Sequence, residues 1–345
     1  VPINNIDPLA FLYYLEGHED IGDSGNNRVQ NDPYYYYQHH HNNNDSPART
    51  KTHQYTIPEN YSLPSYYNGQ RPSEEVPFIL FHQRKTGGST IRSQLEKSAQ
   101  NDTYYIPCHG VPKVDCQTYN APTPLSVNPP TVYGGHLYYS SFLRALHQSH
   151  QTEGRGKPRY HSNLPQFTCF TIFREPISRI HSCWNYRMVQ NGASKVRVDN
   201  ATKISEMDPT TVANLLTTSR SKYDEGCLNE PMRIFSDLGW NEDVINHLDS
   251  METKELAEFA VQQTIERMSQ CVIGILERPD DTRKALERHL PWLAQYINFD
   301  KRINTGVVSK GNLSNETVAQ IETVSQYERH VYKVANQLLD VQMSL

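Results

Sequence analysis

The stretch that decides the fold is Val76–Leu95, VPFILFHQRKTGGSTIRSQL. Phe78, Ile79, Leu80 and Phe81 form a short apolar run of the kind that becomes a buried strand. Thr86, Gly87, Gly88, Ser89 and Thr90 follow, small residues that let the backbone turn sharply and approach a ligand closely. Ile91, Leu95 and Ala99 then fall at helical spacing. Strand, glycine turn and helix N-terminus together make an anion site, because free N–H groups and the helix dipole point at the ligand. Lys85 adds a cation at the mouth of the turn. The stretch is not a Walker A loop, in which the lysine follows the glycines, so an ATPase or kinase starts at a disadvantage.

A second unit has the same design. Phe167–Phe173 is rich in aromatic and β-branched residues and reads as a buried strand, with Arg174 at its end. Pro176 suits the first turn of the next helix, whose apolar face is Ile177, Ile180 and Trp184. Thr131–Tyr133 reads as a short strand running into Gly134, Gly135 and His136, and Cys271–Leu276 as another strand. Helices are expected over Leu256–Met268 and Thr282–Leu293, and as one long closing helix capped by Ser314. The closing stripe is Val318, Ile321, Val324, Tyr327, Val331, Val334, Leu338 and Val341, a core face. Alternating strands and helices give an α/β fold with a central, mostly parallel sheet flanked by helices. Ligands in such sheets bind beyond the C-terminal strand ends, where Lys85 and Arg174 both stand. Two such ends suit a ligand with two separated phosphates.

Bulk composition narrows the classes. The 345 residues are 37% apolar, with a mean hydropathy of -0.70, so part of the chain is expected to stay outside the core. That part is residues 1–72, a low-complexity stem with Tyr34–Tyr37, His39–His41 and Asn42–Asn44, some of whose tyrosines can pack on the core. Residues 73–345 form the folded domain. A formal net charge of -5 argues against a general nucleic-acid binder but leaves room for a local basic cleft. Arg155, Lys157, Arg159, Arg187, Lys195 and Arg197 either line such a cleft or are solvated. No apolar run is long enough to span a membrane. The chain opens on Val1 rather than Met, and the expectation is that a targeting segment or anchor precedes it. None of the six cysteines forms a C-x-x-C pair, so no zinc site is expected. Cys108 and Cys116 are either a loop-closing disulfide or two free thiols. Sequons at Asn44, Asn60, Asn101, Asn200, Asn312 and Asn315 favour a secretory-pathway lumen.

Taken together, HQRKTGGST (82–90) resembles the 5′-phosphosulfate loop of sulfotransferases, and REPISRIHSCW (174–184) resembles their 3′-phosphate motif, an arginine and a serine eight positions apart. With Gly134-Gly135-His136, the set is similar to the Golgi carbohydrate sulfotransferases, above all the heparan sulfate 6-O-sulfotransferase, over roughly residues 76–340. The resemblance implies a P-loop-like sulfotransferase fold, 3′-phosphoadenosine 5′-phosphosulfate (PAPS) as sulfuryl donor, no metal, and a hydroxyl of a glycan or polysaccharide as acceptor. It implies a Golgi-lumenal type II membrane protein, or a secreted one, that meets membrane only through its anchor. Carried over residue by residue, Arg84 and Thr86–Thr90 with Lys85 would hold the 5′-phosphate, Lys85 would stabilise the leaving oxygen, and Arg174 and Ser182 would hold the 3′-phosphate. His136 would be the base. Arg84 and Glu175 depart from the family pattern, and the family's acceptor-binding residues are not matched. Protein tyrosine and small phenols are alternative acceptors. The rival classes are a P-loop kinase or NTPase, and an inactive glycan- or nucleotide-binding protein on the same scaffold.

Overall fold

The computed structural model describes residues 61–98, 104–105, 131–140, 166–186, 204–218, 227–236, 254–299 and 312–344, with Ile57, Phe142, Leu143 and Leu146. Most of the expected stem, Cys108, Cys116, Ala99 and the six basic residues from Arg155 to Arg197 lie outside the described residues, as do four of the sequons. Asn312 and Asn315 are described and exposed.

The chain forms β1 (Phe78–Phe81), α1 (Gly88–Ser98), β2 (Tyr104–Tyr105), β3 (Val132–Gly135), β4 (Thr168–Phe173) and α2 (Pro176–Trp184). A 3-10 turn (Ile204–Glu206), α3 (Pro209–Thr218), α4 (Glu230–Phe235) and α5 (Lys254–Met268) follow. The last elements are β5 (Val272–Ile275), α6 (Pro279–His289), α7 (Pro291–Ala294), α8 (Asn315–Val324) and α9 (Gln326–Ser344). The strands make one sheet in the order β2-β3-β1-β4-β5, and every pair is parallel. The fold is therefore α/β, with a parallel sheet flanked by helices. Every residue of β1, β3, β4 and β5 is buried, as expected for parallel strands covered on both faces.

Two expected helices are broken. The helix expected over 282–293 stops at Leu290, because the residue before a proline is driven out of the helical region; Leu290 has φ -136° and ψ 56°, and Pro291 opens α7. The closing helix is interrupted at Ser325, a fully buried serine whose hydroxyl donates to the Ile321 carbonyl at 2.6 Å. The same carbonyl also accepts the Ser325 N–H at 3.0 Å, and the chain leaves helical geometry at Ser325, with φ -108° and ψ 17°. Ser314 does cap α8, its Oγ accepting the Thr317 N–H at 3.1 Å.

β5 is an edge of the sheet, and side chains satisfy its open backbone groups. Gln342 of α9 accepts from the Ile273 N–H at 2.9 Å and donates to the Cys271 carbonyl at 2.8 Å. Thr282 Oγ1 accepts from the Ile275 N–H at 2.9 Å. A covered edge does not invite another strand. At the N-terminal ends of the strands, Tyr61 donates to the Ser269 carbonyl at 2.7 Å. Tyr67 accepts from the Cys169 N–H at 2.7 Å and donates to the Gln270 carbonyl at 2.8 Å. The folded unit thus takes in residues from 61 onward, and burial holds the Tyr67 phenol well above its usual range. Disulfides join Cys169 to Cys271 and Cys183 to Cys227.

Candidate anion-binding and catalytic site

The connection after β1 runs to one side of the sheet and the connection after β4 to the other, so the crevice between their C-terminal ends is a topological switch point. The β1 end is built first. Thr171 of β4 donates its hydroxyl to the Phe81 carbonyl at 3.0 Å and accepts from the Gln83 amide at 3.2 Å. Thr86 Oγ1 closes the turn on the Gln83 carbonyl at 2.9 Å. Within it, Lys85 has φ 65° and Gly87 φ 85°, both left-handed. That geometry is free for glycine and strained for lysine. Gly88 then opens α1, and a Cβ there would lie 1.7 Å from His82 Nε2. Only glycine allows this approach.

The turn meets the second unit directly. Arg174 Nη1 donates to the Lys85 carbonyl at 3.1 Å, and Arg174 Nε stands 3.9 Å from Glu277 Oε1. The ammonium of Lys85 lies 3.9 Å from the centroid of Tyr186, at the end of α2. α2 begins at Glu175, whose carboxylate accepts the N–H groups of Ile177 at 3.0 Å and Ser178 at 2.7 Å. Ser182, two turns into α2, is buried.

His136 follows β3, the strand on the other side of β1. Its Nδ1 lies 2.8 Å from the His82 carbonyl. A carbonyl only accepts, so Nδ1 carries the hydrogen and Nε2 keeps its lone pair. The His82 and His136 rings stack with centroids 4.2 Å apart. Burial lowers the His136 pKa to about 4, with Arg84 adding to the effect against the opposing charge of Glu230. Burial and the neighbouring His136 also hold His82 well below its ordinary value. Both rings are neutral at pH 7.

The structure thus brings Lys85, Thr86, Gly87, Gly88, Arg174 and His136 to three adjacent strand ends. It treats three other candidates differently. The guanidinium of Arg84 is committed to Glu230, with Nε at 2.9 Å from Oε1 and 2.7 Å from Oε2 and with Nη2 also bonded to Oε2. The Thr90 N–H is used within the turn, on the Gly87 carbonyl at 3.0 Å. Ser89 lies in the first turn of α1, and its side chain is outside the described residues. Sequence reasoning missed His82, Tyr186 and Glu230. His82 is legible from its place between strand and turn. Glu230 stands 146 residues from Arg84 and carries no local signal. Among the described residues no group of three metal-ligating side chains occurs. No family model matches the chain, and no curated protein is significantly similar to it.

Proposed function

We propose that the protein is a sulfotransferase that moves a sulfuryl group from PAPS to a hydroxyl of a glycan, on a P-loop-like sulfotransferase scaffold. One observation carries the reading: the ends of β3, β1 and β4, adjacent in the sheet, deliver a neutral histidine, a lysine on a glycine turn and an arginine bonded to that turn. The residues fit the donor. The turn residues Thr86, Gly87 and Gly88 carry small side chains or none, and the nearby cations suit two phosphates.

The donor supplies an activated sulfur–oxygen bond, charge-rich and transferred in line much as in phosphoryl transfer. Thr86–Gly88 would cradle the 5′-phosphate, and Arg174 with Ser182 the 3′-phosphate. Lys85 would neutralise the oxygen that leaves with the electron pair of the broken bond. His136 Nε2 would take the proton of the acceptor hydroxyl as its oxygen bonds to sulfur. Neutral His136 is available for this at pH 7. The disulfides among the described residues support an oxidising compartment, such as the Golgi lumen or the exterior.

The test is thermal unfolding with adenosine 3′,5′-bisphosphate, the product nucleotide. At 100 times its Kd a ligand adds about 2.7 kcal/mol, a clear rise in midpoint. A rise only with ATP and magnesium would sink this reading and favour a kinase. A rise with the bisphosphate but no turnover on any hydroxyl acceptor would favour a binding protein.

A further inference from the structure

Glu230 opens α4 and is fully enclosed, with 0% of its surface exposed. Beyond the guanidinium, its Oε1 accepts the main-chain N–H of Arg84 at 3.2 Å. It therefore grips both the side chain and the backbone of the residue just before Lys85, the strained left-handed position. Glu230 is itself fixed from several directions. Asn229, left-handed at φ 56°, gives its N–H to Glu328 Oε2 at 2.9 Å. Glu328 pairs with Arg179 of α2, and Arg179 Nη2 donates to the Cys227 carbonyl. The Cys183–Cys227 disulfide ties the same segment to α2. An anchor this well held suits a task of placement. A carboxylate with no exposed surface cannot touch a ligand.

We propose that Glu230 is a positioning residue of the site: through Arg84 it sets the Lys85 turn and so the shape of the Thr86–Gly88 cradle. What the cradle holds rests on the transferase reading; what Glu230 does to the turn does not. Glu230 and Arg84 also offset each other's charge.

The experiment compares wild type, Glu230→Gln and the double variant Arg84→Gln/Glu230→Gln in the full chain. Gln is neutral and keeps one acceptor oxygen in place of two, so the charged two-oxygen grip on the guanidinium is lost. Hydrogen exchange of the apo protein is followed over residues 82–92 and over β4. The expected result for Glu230→Gln is at least ten-fold faster exchange in 82–92 with β4 unchanged, and at least ten-fold weaker binding of adenosine 3′,5′-bisphosphate. The double variant removes both charges of the Arg84–Glu230 pair and strands neither, so its unfolding midpoint returns toward wild type while the fast exchange in 82–92 persists. It also decides the matter if Glu230→Gln does not fold. Unchanged exchange in 82–92, or an equal rise in β4, overturns the proposal. If the wild type does not bind the bisphosphate, the transferase reading fails, and the exchange data still decide the role of Glu230.

Discussion

Arg174 Nη1 donates a hydrogen bond of 3.1 Å to the carbonyl of Lys85, so the end of β4 and the turn after β1 are one structure rather than two neighbouring ones. An arginine truncated here removes a cation from the crevice and an anchor from the turn. Arg174→Ala is expected to weaken adenosine 3′,5′-bisphosphate by ten- to a hundred-fold, since hydrogen bonds to charged groups contribute about 1.5–3 kcal/mol. Arg174→Lys keeps the charge but loses the fork, and is expected to recover only part of the loss. Calorimetric titration checks both. Equal affinity in wild type and Arg174→Ala would remove Arg174 from the site.

The pH dependence of kcat/KM reports the free enzyme's base. With the His136 pKa lowered to about 4 by burial, the neutral form dominates well below the ordinary histidine value of 6.5. Activity is expected to stay flat from pH 7 down to about pH 5 and to fall with a midpoint near 4. An acid limb centred at 6.5 would show that His136 is not the base, or not buried as it is here. Stability has the same sign. Between pH 6.5 and 4 the unfolded chain binds a proton at this position that the folded chain refuses, so acid favours unfolding over that window. His136→Gln is expected to reduce the slope of that part of the stability profile, to which His82 also contributes, while abolishing turnover.

The four long strands, the glycine turn and Arg174 were legible because short apolar runs followed by small residues or a lone cation are local signals. The helix breaks were partly legible. Pro291 stands in plain view, whereas nothing in the local sequence marks the break of the closing helix at Ser325. Arg84 was legible as a cation beside the turn, but its partner was not. Glu230 lies in a segment without clear periodicity, and chain folding alone places it beside the turn. The Cys169–Cys271 pairing was equally hidden, since it depends on β4 and β5 being neighbours.

Gly88 gives a steric prediction. A methyl group there would lie 1.7 Å from His82 Nε2 and 1.8 Å from Cδ2, so the ring must leave its stack on His136. Gly88→Ala is expected to lower kcat at least ten-fold and to cost about 1–3 kcal/mol, the usual range for overpacking. In a His82→Ala background the ring that the methyl group collides with is gone. Its stability cost is expected to shrink there, a coupling that a double-mutant cycle measures. Additive costs would mean that His82 is not what Gly88 makes room for.

The Cys169–Cys271 and Cys183–Cys227 disulfides separate stability from function. Cys169 and Cys271 lie at the N-terminal ends of β4 and β5, away from the site, and their bridge spans 102 residues. Cys183 and Cys227 join α2, which carries Ser182, to the segment that leads into Glu230, across 44 residues. The chain-entropy model assigns each bridge about 4–5 kcal/mol, with little difference because the dependence on loop length is logarithmic. Replacing either pair by serine is thus expected to lower the unfolding midpoint by similar amounts. Only Cys183→Ser/Cys227→Ser is expected to weaken adenosine 3′,5′-bisphosphate as well, because that bridge helps hold the carboxylate that grips Arg84. Calorimetry on both variants, at a temperature where each remains folded, makes the comparison. Equal loss of affinity in the two would place the effect in global stability and leave the Cys183–Cys227 bridge with no special link to the site.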